Sequence, residues 1–183
     1  MNFENEKKQC LAKVDRSKKG KIDDNIKKLV DLINSNKNYY TTSSCSGRIM
    51  VLTQDRKDRV KWLYTTHKEA DSDEIWQALK ELPQNQVLFK LEAPILHICA
   101  KNIEAAEKLL DIANKAGFRR SGIISMKRRV IEIIAPESIA APIAEKIILI
   151  DKPYLDYLVA SANDLLKKSR KRMDKLSRLL ASQ

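Results

Sequence analysis

Apolar positions along this chain switch between steps of three or four and strict alternation, so helices and strands interleave. Ile26, Leu29, Val30 and Ile33 share a helical face that Asp23-Asp24 opens and Asn34-Ser35-Asn36 closes. Residues 48–53 read as a first strand and residues 61–66 as a second, with residues 54–59 as a charged turn. In the second strand Trp62, Tyr64 and Thr66 alternate with Leu63 and Thr65. Asp71-Ser72-Asp73 caps a helix bearing Ile75, Trp76, Leu79 and Leu82, and Pro83 stops it. Strands follow at 87–91 and 95–100, joined by Glu92-Ala93-Pro94. Asn102 caps a helix with Ile103, Ala106, Leu109, Leu110 and Ala113 on one face, and Gly117 ends it. Two more strands lie at 122–126 and 130–134, and a last short one at 147–150. From Tyr154 onward Leu155, Leu158, Ala162, Leu165, Ser169, Met173, Leu176 and Leu180 mark one long helix.

Strand, helix, strand, strand occurs from Trp62 and again from Leu96, a repeat of pattern without shared side chains. Two such units predict an α+β fold: duplicated β-α-β-β units in an antiparallel, barrel-like sheet, with outer helices and a long C-terminal helix. The 183 residues suit a single domain. Its parts are a core at 22–150, the basic helix at 153–182 and a basic N-terminal segment at 1–21. The helix is expected to pack by its first half and to project its second. Gly20, Gly47, Gly117 and Gly122 form no dinucleotide-binding or Walker motif, so the fold is not of Rossmann type.

Charge changes the picture through its placement. The net charge is +11, and residues 7–21 and 167–178 each carry +6, leaving the remainder at −1. Two basic ends on a near-neutral body suit a polyanion, with nucleic acid favoured. A membrane surface fits less well, because neither segment carries aromatic anchors, and no apolar run approaches the roughly 20 residues of a membrane span. Cys10, Cys45 and Cys99 are widely spaced and odd in number, and the first residues lack an apolar signal region; a reducing cytoplasm is expected.

Residues 41–48, Thr-Thr-Ser-Ser-Cys-Ser-Gly-Arg, contain no apolar side chain and read as a loop. Ser43, Ser44, Cys45, Ser46 and Gly47 let backbone N–H groups approach an anion, and Arg48 adds a planar fork for a carboxylate or phosphate. An ordinary polar turn explains the composition equally well. The histidines are His67 and His97, each a candidate general base. His97 and Cys99 share a strand face, and with Cys45 and His67 they spell a weak zinc or cysteine-hydrolase alternative without paired ligand spacing. Lys90 and Glu92 place a cation and a carboxylate on one strand face, and the stretch from Gly117 to Gly122, with Arg119 and Ser121, repeats the Gly/Ser/Arg chemistry.

Several of these stretches are similar to the tRNA wybutosine-synthesizing protein 3 family. They are Lys13-Val14-Asp15 with Ser17-Lys18-Lys19-Gly20, residues 41–49, Trp62-Leu63 with Thr66-His67-Lys68, Lys90 with Glu92, Leu96-His97, Gly117-Phe118-Arg119 with Ser121-Gly122-Ile123, and Tyr154 with Ala162-Asn163. The match runs in order over residues 13–163. The resemblance implies S-adenosylmethionine-dependent methylation of ring nitrogen 4 of the tricyclic wyosine-type base beside the anticodon of tRNA-Phe. It implies a donor loop at Ser43, Ser44, Cys45, Ser46, Gly47 and Arg48, and a base among His97, His67 and Glu92. Lys90, Arg119, Ser121, Lys127, Lys18 and Lys19 would hold substrate, and the basic ends would hold the anticodon arm. Ile134-Ala135-Pro136 departs from the family's Arg-Ser-Thr-like triplet. A non-catalytic tRNA-binding protein is the rival reading.

Overall fold

The computed structural model describes residues 2–12, 22–54, 60–80 and 85–182; Lys18, Lys19, Leu82 and Pro83 lie outside them. In chain order the elements are α1 (Phe3–Leu11), α2 (Asp24–Ser35), β1 (Tyr39–Cys45), β2 (Arg48–Gln54), β3 (Val60–Thr66), α3 (Ser72–Ala78), β4 (Val87–Glu92), β5 (Ile95–Ala100), α4 (Ile103–Ala116), β6 (Gly122–Ser125), β7 (Val130–Ile134), β8 (Ile139–Glu145), β9 (Ile147–Ile148) and α5 (Lys152–Ala181). They divide into two compact units, each assembled from separated stretches of chain. The first comprises residues 1–46, 94–136 and 169–183, the second residues 47–93 and 137–168.

The first unit holds an antiparallel sheet in the order β1-β5-β7-β6. One face packs on apolar side chains: Leu96, Ile98, Ile131 and Ile133 are buried, as are Leu109, Ala113 and Ala116 of α4. Helix α4 forms where the pattern requires. Asn102 accepts the N–H of Ala105 at 3.0 Å, and Gly117 adopts φ +103°. The N–H groups of Gly117 and Phe118 then close back on Asn114 and Ala113, satisfying carbonyls that the helix end leaves open. On the sheet's other face Phe3 of α1 stacks against Tyr40 at 5.3 Å and covers Tyr40 and Cys99. Burial, with the Cys99 thiol beside it, pushes the Tyr40 hydroxyl above its ordinary range.

The second unit holds a sheet in the order β3-β2-β4-β8-β9. Alternation in β4 sends Val87, Phe89 and Leu91 into its core, where they meet Ile49, Val51, Ile143 and the stripe Leu155, Leu158, Val159, Ala162 and Leu166 of α5. Asn163 grips both backbone groups of Ala70, accepting its N–H at 2.8 Å and donating to its carbonyl at 3.0 Å.

Four expectations change, and two elements, β8 and α1, were not foreseen. Among the described residues the strands make two open sheets and no closed barrel. Ala93-Pro94 carries the chain from one sheet to the other instead of turning back, and Pro94 has no N–H to extend a ladder. The polar stretch expected as a loop is mostly strand β1, paired to β5 alone at a sheet edge. Its β-branched threonines suit a pleat, and its partly exposed side chains hide the alternation that marks other strands. Strand β8 escapes notice because it is alanine-rich and holds Pro142, which fits opposite Leu88 at a register shift. Helix α1 escapes because Phe3 is its one buried residue. The basic half of α5 does not project, since Ser169, Met173 and Leu176 are buried within the first unit.

Phe89 is fully buried at 0% exposure, so Phe89→Ala should destabilise the protein by about 3–5 kcal/mol. Urea unfolding followed by circular dichroism measures this. A loss below about 1 kcal/mol would contradict the placement of this ring in the core.

Candidate active site

The first sheet brings a row of polar side chains into register on one face. Strand β1 carries a bulge between Thr41 and Ser43, after which Ser43 lies opposite His97. His97 in turn lies opposite Glu132 of β7. Residues facing one another across an antiparallel ladder share a face, so the three side chains meet. Ser43 Oγ is 2.7 Å from His97 Nδ1, and His97 Nε2 is 2.9 Å from Glu132 Oε2.

A carboxylate beside Nε2 makes that nitrogen the N–H donor. In the neutral ring Nδ1 then carries the lone pair and accepts the Ser43 hydroxyl proton. Glu132 therefore sets both the tautomer and the orientation of the ring. His97 and Glu132 are about one-third exposed, at 29% and 30%, and Ser43 is exposed. Helix α1 covers Tyr40 and Cys99 on the same strands, and the polar row lies beyond that cover. The arrangement can accept a proton through a surface hydroxyl and hold it on an oriented imidazole.

The rest of the polar stretch is divided. Ser44 and Cys45 continue β1 opposite Leu96 and Ile95. Ser46 is buried, and its N–H and hydroxyl both donate to Asp23 Oδ2 at 3.1 Å. Asp23 thus anchors Ser46 and makes no side-chain cap on α2. Ser46 also lines a cavity of about 210 Å³ with Asn25, Arg170, Met173 and Asp174. That is smaller than the usual pocket for a whole cofactor-sized ligand.

In the second unit Gly47 adopts φ +81°, a conformation open to glycine at little cost. Its carbonyl accepts from His67 Nδ1 at 2.9 Å, which makes Nδ1 the protonated nitrogen and leaves the lone pair of the neutral ring on Nε2. Arg48 and Glu92, assigned separate roles from sequence, face one another across β2 and β4. Nε and Nη2 of Arg48 both donate to Glu92 Oε2, at 2.9 and 2.7 Å. The guanidinium also lies over the Trp62 ring at 4.7 Å. Glu92 is the resting partner of Arg48, and a ligand carboxylate must share the fork or displace it.

Lys90 is half-exposed on the Glu92 face of β4, and Arg119 and Lys127 are exposed in the turns flanking β6. The Ser121 hydroxyl accepts the N–H of Ile134 at 3.3 Å. Ala135 is buried and its N–H reaches the carbonyl of Pro94. The Ile134-Ala135-Pro136 departure is thus held by backbone bonds that do not need the replaced side chains. His97 and Cys99 take no part in a shared thiol–imidazole site, because both ring nitrogens of His97 meet Ser43 and Glu132, and the buried Cys99 thiol donates to the Arg128 carbonyl at 2.8 Å. Glu132 was missed from sequence: a single acid alternating with isoleucines reads as the wet side of a strand. Trp62 was read as one face of an alternating strand, and Asp23 as a helix cap.

The first unit thus presents an oriented hydroxyl–imidazole–carboxylate chain on an α+β scaffold. Residues 5–182 match the family described as Methyltransferase TYW3. A Pyrococcus horikoshii protein named tRNA(Phe) 7-((3-amino-3-carboxypropyl)-4-demethylwyosine(37)-N(4))-methyltransferase 1 is 37% identical over 182 residues, covering 96% of this chain and 93% of its own. An Archaeoglobus fulgidus methyltransferase named for the same reaction is 38% identical over 188 residues, covering 100% and 95%. A solved structure of the PH1069 protein, also from Pyrococcus horikoshii, superposes with a TM-score of 0.90 at 35% identity, covering 98% and 96%. The chain belongs to the TYW3 methyltransferase family.

Nitrogen-15 spectra of the imidazole at neutral to mildly alkaline pH should show His97 protonated on Nε2. Glu132→Ala should let the ring redistribute between tautomers, while Ser43→Ala should leave Nε2–H in place. A proton on Nδ1 in the unaltered protein would contradict the assignment.

Proposed function

We propose that this chain transfers a methyl group from S-adenosylmethionine to nitrogen 4 of the 7-(3-amino-3-carboxypropyl)-4-demethylwyosine base at position 37 of tRNA-Phe, the reaction for which its archaeal relatives are named. The Ser43–His97–Glu132 chain is the observation that carries this reading, because methylation of a ring nitrogen requires a proton to leave it. Ser43 Oγ receives the proton from the base while its own hydroxyl proton passes to His97 Nδ1. Glu132 keeps the ring turned for that transfer and faces the positive charge that then forms on it. His67 and Glu92 are the other candidates for the base; the carbonyl contact of His67 and the ion pair of Glu92 give each a different resting partner.

Bound S-adenosylmethionine supplies an electrophilic methyl group on a sulfonium centre. Its charges fit the residues at hand. Arg48 is suited to the donor carboxylate, and Glu92 is the carboxylate that Arg48 releases or shares when it binds one. Ser44, Cys45, Ser46 and Gly47 complete the stretch assigned to the donor, and Ser43 in the same stretch turns its hydroxyl to His97. Lys90, Arg119, Ser121, Lys127, Lys18 and Lys19 are assigned to the RNA, with the anticodon arm as the part held. Ser121 acts through its bond to Ile134, which braces the turn carrying Arg119. The order of elements supports a duplicated β-α-β-β plan, with β5-α4-β6-β7 as the copy whose strands share one sheet. The single functional domain of this reading is built from two compact units, each assembled from separated stretches of chain. Among the described residues no helix is long and apolar enough to cross a membrane, and a cytoplasmic setting suits a tRNA substrate.

His97→Ala should lower methyl transfer to tRNA carrying the demethylated base by roughly 10²–10⁴-fold. Its affinity for S-adenosylmethionine, measured by calorimetry, should be unchanged. Retained turnover would remove His97 from the proton path. Arg48→Ala should weaken donor binding by about tenfold or more, the scale of one hydrogen bond to a charged group. Unaltered donor affinity would move the carboxylate site elsewhere.

A further inference from the structure

At the C-terminal end of α4 the first unit contains a cavity of about 540 Å³ that the chemistry above does not use. Lys115, Arg119, Arg120, Arg172 and Lys175 line it, with Pro136 on one side. Among the described residues that line it there is no carboxylate and no aromatic ring. A cavity of this size falls within the range of ligand sites. Four of these cations, Lys115, Arg119, Arg120 and Lys175, are exposed on a lining that carries no carboxylate, which disfavours an apolar or cationic occupant. The missing ring leaves the site without an aromatic platform for a base. The chemistry that remains is an anion with several oxygens.

The cavity's geometry is built. Arg172 Nη1 donates to the carbonyl of Gly117 at 3.3 Å, holding the guanidinium at the wall. A Cβ on Gly117 would lie 2.3 Å from that nitrogen, so the glycine supplies both the left-handed turn and the space for Arg172. Pro136 stands four residues beyond Glu132 in the chain, which separates their Cα atoms by at most about 14 Å. The cavity therefore lies within a short span of the Ser43–His97–Glu132 row.

We propose that this cavity seats the RNA sugar–phosphate backbone near the reacting base, holding the strand by charge and shape without reading its sequence. The proposal rests on the reading that the chain acts on tRNA. Arg120, Lys175 and Lys115 then join Arg119 as backbone contacts, Arg172 holds the wall through Gly117, and the basic half of α5 acts through its packed position.

The test is the salt dependence of binding to transcribed tRNA-Phe, measured with the full chain. Arg120→Ala and Lys175→Ala should each weaken binding severalfold. Each should lower the slope of log affinity against log salt by about one, as expected for one lost phosphate contact. The loss should be the same for a tRNA of different sequence, and S-adenosylmethionine affinity should not change. Lys28→Ala, at an exposed position on α2, should leave the slope unaltered. Wild-type binding with unaltered slopes in both cavity variants would overturn the cavity proposal alone, as would an equal loss in Lys28→Ala. Absence of tRNA binding by the wild type would overturn the functional reading and the cavity proposal together.

Discussion

The register of the first sheet is the constraint on which the site depends. Ser43, His97 and Glu132 come from three strands that are far apart in sequence, and His97 and Glu132 each sit between apolar neighbours. They meet because antiparallel pairing places directly opposed residues on one face, a few ångströms apart. The bulge in β1 completes the alignment: without the extra residue at Thr42, the residue opposite His97 would be Thr42. Shifting a strand by one residue exchanges its two faces. The buried positions Leu96, Ile98, Ile131 and Ile133 resist that exchange, so the core of the first unit stabilises the geometry of its polar row.

The same logic operates in the second unit with a different outcome. Val87, Phe89 and Leu91 commit one face of β4 to the core, which leaves Lys90 and Glu92 on the other. Glu92 opposes Arg48, and the guanidinium lies between the carboxylate and the Trp62 ring. A pair this exposed contributes little to stability, on the order of 1 kcal/mol or less. Its consequence is orientation: Arg48 is held in one pose by two donors and a ring face. Asn163 works similarly through the backbone of Ala70, three residues beyond His67.

Much of the fold was legible because local chemistry and global packing agree. Asn102 and Gly117 delimit α4 as their side-chain chemistry requires, and Asp71 caps α3 through the N–H groups of Asp73 and Glu74. The misread segments are those where one signal is muted. Strand β1 lacks an apolar stripe, β8 carries a proline, and α1 buries a single ring. In the site, both histidines and the Ser43–Arg48 stretch were visible by residue type, because few other residues in the chain offer comparable chemistry. Glu132 was not, since an acid on an alternating strand is ordinary until the neighbouring strand is known.

The sequence by itself determined the α+β class, the element boundaries set by caps and periodicity, the absence of a glycine-rich nucleotide motif, and the basic character of both ends. These are local properties, written in spacings of a few residues. Only the tertiary structure decided that the strands form two open sheets, that Arg48 rests on Glu92, and that Ser43 meets His97 and Glu132. It also decided that the basic stretch of α5 packs beside the end of α4. Each of these is a pairing between distant residues, settled by which apolar faces are buried together. Residue type limits what a side chain can do, whereas its partner is chosen by the packing of the strands and helices that carry it.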